Sequence, residues 1–224
     1  MTLAQEARTA SHSASLMQLA RLLPKLVHWI PVATTVAAVI AVLAWRFDTL
    51  DDPTEGMIVM RVVAVLAALG VTFLFDDPSR NVTAPSVVTQ RWRVGLRLLL
   101  AFAVCVAIVT LAGVVVATQS ELTGFWLGFA LEAATLIALG AVMALLLQNH
   151  FGTAEPGHVV AVGLVMSVMF ILVMSARWPM FAMPDGEWTG AHQRWGMLAG
   201  LIFAAVIYEL RDPASMHLIR MPRR

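Results

Sequence analysis

"ELTGFWLGFALEAATLIALGAVMALLLQ", residues Glu121 to Gln148, is a run of 28 positions in which the only ionisable side chain past the first residue is Glu132. A spanning α-helix needs about 20 mostly apolar residues. This run exceeds that and reads as a long, tilted transmembrane helix. One carboxylate in the middle of such a helix is expensive in hydrocarbon, so Glu132 is expected to face other helices or a wet cavity. The alternatives are a residue of a translocation path and a structural hydrogen bond between helices, the latter including a protonated acid in a tight interface.

Further apolar runs of similar length lie on both sides. They cover 27–45, 57–75, 95–118, 158–178 and 195–210, which with 121–148 makes six. The chain has 224 residues, is 59% hydrophobic and only 13% charged, with a mean hydropathy of +0.80. Soluble domains carry about 25% charged residues. An open sheet cannot span lipid, so the fold class is all-α, a polytopic bundle of six transmembrane helices filling 27–210. Net charge is +1, which by itself argues for no nucleic-acid partner. The single cysteine, Cys105, lies in an apolar run and excludes an intrachain disulfide. No secretory cleavage site follows the first run.

Residues 1–26 form a cytoplasmic N-terminus with an amphipathic interfacial helix. Gln18, Arg21 and Lys25 fall on one face and Leu16, Leu19, Leu23 and Leu26 on the other. Pro24 is expected to separate this helix from the first span. Basic residues near the helix ends give the orientation. Arg8, Arg21 and Lys25, then Arg80, Arg91, Arg93 and Arg97, then the basic tail 211–224 share one side, against Arg46, Arg177 and Arg194 on the other. Both termini are therefore expected in the cytoplasm. Trp29 and Trp92 would anchor the inner interface, and Trp45, Trp126, Trp178, Trp188 and Trp195 the outer one.

Asp-Pro recurs at 52–53, 77–78 and 212–213. Asp caps free N–H groups and Pro suits the first helical position, so each pair is expected to open a helix. Glu55, three residues after Asp52, adds a capping-box pattern ahead of the second span. Arg61 is expected to snorkel to the outer interface more readily than to bind substrate, and it remains with Glu132 a candidate for the translocation path. Gly124 and Gly128 form a small-xxx-small pair that admits a close helix neighbour.

Two other chemistries have residues that could carry them. His28, His150 and His158 all fall near the inner side, where two imidazoles could ligate a b-type haem, although such histidines are more often interfacial or capping. Met166, Met169, Met174, Met180 and Met183 could line a soft-metal path, or simply pack. Nothing matches a phosphate-binding loop, a dinucleotide fingerprint or a metalloprotease motif, so no enzyme activity, cofactor or metal site is expected on this chain.

The order of elements resembles the permease subunits of ABC exporters of the drug-, lipid- and polysaccharide-export type, and "FLFDDPSRNVTAPSVVTQRWRVGLR" is similar to small actinobacterial members. The resemblance implies that the cytoplasmic loop 76–94 is a coupling helix docking on a separate ATP-binding subunit. Asp77, Pro78, Ser79, Arg80, Thr83, Pro85, Gln90 and Arg91 would carry that contact. It further implies ATP hydrolysis in the partner, a second membrane subunit (a homodimer or a homologue) enclosing the path, and a bacterial plasma membrane. "WPMFAMPDGEW" (178–188) reads as a reduced version of the family's paired re-entrant helices. The alternatives kept beside it are an accessory or regulatory subunit of a larger membrane complex, and a cytochrome.

Overall fold

The computed structural model describes residues 29–76, 90–120, 126–175, 177–182 and 187–209. The described residues are all helical or in connections, with no strand among them. The helices are α1 (Trp29–Arg46), α2 (Pro53–Thr72), α3 (Gln90–Gln119), α4 (Trp126–His150), α5 (Gly157–Met174) and α6 (Trp188–Glu209). Short 3₁₀ turns follow α1 and α2. Five segments are long and apolar enough to cross a membrane: Trp29–Thr49, Pro53–Phe75, Val94–Gln119, Leu127–His150 and Gly157–Met174. That makes the chain compatible with a polytopic membrane protein. Helix α6 does not meet the same measure. It begins seven residues before the expected start at Trp195, and its first turns carry His192, Gln193 and Arg194, which lower its hydropathy.

α2 also starts early, at Pro53 rather than at 57. Asp52 is its N-cap, accepting from the Thr54 N–H at 2.8 Å, and Pro53 supplies the preset φ of the first position. The reciprocal half of a capping box does not form. Glu55 instead pairs with Arg46 at the end of α1. α5 ends at Met174 rather than at 178, where a turn leads into Pro179. The amphipathic segment within 1–26, residues 77–89, which hold most of the coupling segment, and the tail 211–224 lie outside the described residues.

α2 is the centre of the bundle. Val59, Met60, Val63, Ala64, Ala67, Ala68 and Val71 are all buried. Many of these side chains are small, which suits membrane packing: with apolar lipid as the competitor, helices associate through close van der Waals contact. α1 leans on α2 through Val32, Thr35 and Val39, spaced to share one face. α4 packs most extensively on α6 and then on α2. α1 and α5 stand at the periphery. On α5, Met166, Met169, Phe170 and Val173 point outward, each more than half exposed. The methionines there therefore do not line a common internal path. Trp195 is another correction: it is fully buried, its indole N–H donating to the Met180 carbonyl at 2.8 Å, so it belongs to the core and not to an interfacial belt.

Candidate functional site: a buried ion cluster between α2, α4 and α6

Glu132, the seventh residue of α4, closes its second turn and is 1% exposed. The helix period brings it, with Phe129, Ala133 and Leu136, onto the buried face. Two basic side chains from two other helices converge on it. Arg61 of α2 donates from Nε to Glu132 Oε2 at 3.2 Å and from Nη2 to Oε1 at 3.4 Å. The same Nη2 donates to the Ala182 carbonyl at 2.7 Å. His192 of α6 places Nε2 3.3 Å from Glu132 Oε1. The expectation that Arg61 snorkels outward is therefore corrected: its side chain turns into the bundle, where a carboxylate offsets the desolvation of the guanidinium.

His192 was not foreseen, because residues before 195 read as an outer loop. The signal was present in the spacing: Trp188, His192 and Trp195 recur at helical intervals of four and three and extend the sixth apolar run backwards. The ring is held from both ends. Nδ1 lies 2.9 Å from the Trp188 carbonyl, and the ring stacks against the Trp188 indole with centroids 4.1 Å apart. A carbonyl only accepts, so Nδ1 carries a proton and Nε2 is the nitrogen turned to the carboxylate. Nε2 is buried and makes no well-angled hydrogen bond of its own, although it stands at ion-pair distance.

The connection from α5 to α6 roofs the cluster. Residues 177–182 hold turns and bends and no re-entrant helix. Phe181 lies under the Arg61 guanidinium, 5.2 Å from ring centroid to Cζ, a cation–π arrangement, and packs on Trp195 at 5.4 Å. Arg194 ties the same segment down by donating to the Pro179 carbonyl at 2.6 Å and to Glu187 at 2.9 Å.

Gly128 sets the distance between α4 and α6. A Cβ at this position would stand 2.4 Å from His192 Nε2 and 2.6 Å from the Trp188 ring. The close approach anticipated for the Gly124/Gly128 pair is thus made by Gly128 against α6; Gly124 lies outside the described residues. Gly128→Ala is expected to push His192 off Glu132 and to cost about 1–3 kcal/mol through overpacking. A lowered thermal unfolding midpoint of the purified protein in detergent checks this; an unchanged midpoint would mean that the α4–α6 contact is loose.

A second polar knot lies some 20 Å further along α2, by the helical rise. Here Arg97 of α3, 6% exposed, donates to the carbonyls of Phe75 at 3.2 Å and Asp76 at 2.5 Å. Gln148 of α4 donates to Phe75 at 2.7 Å. Asp76 accepts from the Gly157 N–H at 2.7 Å, capping α5 from a distant part of the chain. A Cβ on Gly157 would meet Phe73 at 2.7 Å and the Asp76 carboxylate at 2.8 Å. Arg97, counted from the sequence among the basic residues of the inner side, directs its guanidinium at carbonyls where the 3₁₀ turn ends.

The remaining candidates do not converge. His158 packs edge-on against Phe73, and His150 lies 3.5 Å from Glu209. Among the described residues no group of three His, Cys, Asp or Glu side chains could hold a metal ion. Asp77, Pro78, Ser79, Arg80, Thr83 and Pro85 lie outside the described residues. Gln90 and Arg91 open α3, with side chains outside them.

The fold and the cluster together define a class: an all-helical chain with five helices fit to cross a membrane and an ion cluster in its core. No family model matches it, and no curated protein or solved structure does either.

Proposed function

We propose that this chain is the permease subunit of an ABC transporter, an exporter of the bacterial plasma membrane. Its path is enclosed with a second copy or a homologous chain, and a separate ATP-binding subunit drives it. In this reading α6 is the sixth span and both termini are cytoplasmic. The observation that carries the transport reading is the Glu132 carboxylate, 1% exposed and shared by Arg61 and His192 from two other helices. Ionisable groups inside a membrane are costly and commonly mark substrate pathways. The ATPase partner rests on the resemblance in 73–97 and on the basic loop 76–94, whose helical continuation into α3 gives a rigid route from a docked partner to the bundle.

A second reading, an accessory subunit of a larger membrane complex, is favoured by the outward apolar face of α5. The two part on coupling. Reversing charge at Arg91 and Arg93 is expected to leave the protein in the membrane and to lower cargo-stimulated ATPase turnover of the assembled complex at least tenfold. Turnover equal to wild type would remove the coupling role of the loop.

A further inference from the structure

An apolar groove of about 510 Å³ opens on the outside of the bundle between α2 and α5. Its volume falls within the range of small-molecule sites. Ile58, Val62, Val65 and Leu66 line one wall at helical spacing, and Val168 and Leu172 the other. Two polar residues, Arg61 and Ser175, belong to the lining, and the Arg61 guanidinium lies over the Phe181 ring. Arg61 thus belongs to two places at once: it pairs with Glu132 in the core and borders the groove. Its bonds to Glu132 and Ala182 use Nε and Nη2, and Nη1 takes no hydrogen-bond partner among the described residues. With Nε–H and both Nη2 hydrogens engaged, the two Nη1 N–H groups are left to meet a second carboxylate.

We propose that this groove binds a single-chain fatty carboxylate, its alkyl chain between α2 and α5 and its carboxylate on Nη1 of the Arg61 guanidinium. The two Nη1 donors, on the side of the guanidinium away from Glu132, select an anionic acceptor as the headgroup. Depth selects the chain type. Arg61 lies eight residues beyond Pro53, about 12 Å along the helix by its rise, below the polar turn holding Asp51 and Asp52. A phospholipid phosphate stays at the headgroup level; a fatty acid that moves as the neutral acid can reach down to the guanidinium. Glu132 is not stranded, because it keeps the Nε and Nη2 contacts of Arg61 while the ligand takes Nη1.

The inference deepens the permease reading and rests on it only for the ligand being cargo. Binding is measured on the chain alone, so the absence of an ATPase partner and the absence of a ligand are separate failures. The test is equilibrium binding of radiolabelled oleate to the purified full chain in detergent. Competitors are methyl oleate, which lacks the charge, and dioleoyl phosphatidylglycerol, which carries its charge on a phosphate. The expected result is saturable binding near one oleate per chain, with methyl oleate competing at least tenfold more weakly. Arg61→Gln should weaken oleate binding at least tenfold, and so should the charge-balanced pair Arg61→Gln with Glu132→Gln, which guards against a folding defect. Glu132→Gln alone should bind as tightly as wild type or tighter, and Val65→Trp, which fills the groove, should abolish binding. Oleate binding that survives both Arg61 variants overturns the proposal. So does equal competition by methyl oleate, which would leave only a greasy slot, or by phosphatidylglycerol, which would make the occupant a bilayer lipid.

Discussion

Arg61→Ala is expected to lower stability by about 3–5 kcal/mol, the cost of leaving a buried carboxylate without its charged partner. Glu132 is 1% exposed, closed off from bulk solvent. His192 can hold only Oε1, because the ring is fixed by its Trp188 carbonyl contact and its stack on the indole. Removing both charges together, with Arg61→Gln and Glu132→Gln, should restore most of the loss, since two neutral amides of similar size can still bond across the same gap. Thermal unfolding of the two variants in detergent decides it. If the single and double variants melt alike, the ion pair does not hold α2 to α4.

Arg97→Leu is expected to cost about 2–3 kcal/mol, in the range of hydrogen bonds made by a charged group. Arg97 serves two terminal carbonyls in a buried place, and Gln148 also donates to that of Phe75. Asp76→Ala attacks the same knot from the other side by leaving the Gly157 N–H without its acceptor, for about 1–3 kcal/mol. Hydrogen exchange separates the two. Asp76→Ala should speed exchange in the first turn of α5 while sparing the middle of α2. Unchanged exchange at Gly157 would mean that the cap is not formed.

These two knots show where sequence reasoning succeeds and where it stops. Apolar run lengths were legible because hydropathy is a local property: α1 and α3 fall within a few residues of expectation. Asp52-Pro53 was legible as a helix start because capping there is local too. Asp76 was not, because it caps a helix 81 positions away, and its neighbour Asp77, beside Pro78, offered the more familiar pattern. Glu132 announced itself by isolation within an apolar run. Its partners did not: Arg61 near a helix end has snorkelling as the cheaper local reading, and only the fold brings α2 against α4. His192 hid because the start of α6 is polar, and a polar stretch after Pro184 and Gly186 reads as loop. Of these polar residues His192 turns to Glu132, while Arg194 turns to Pro179 and Glu187.

The proposal that this chain is a permease driven in trans is tested most directly by what accompanies it out of its own membrane. The tagged full chain would be extracted in mild detergent and purified without overexpressed partners, and its companions identified by mass spectrometry alongside an ATPase assay. The claim predicts an ATP-binding subunit in near-stoichiometric amount, with hydrolysis activity in the same fraction. Other membrane chains with no ATPase, or a Soret band from bound haem, would contradict it.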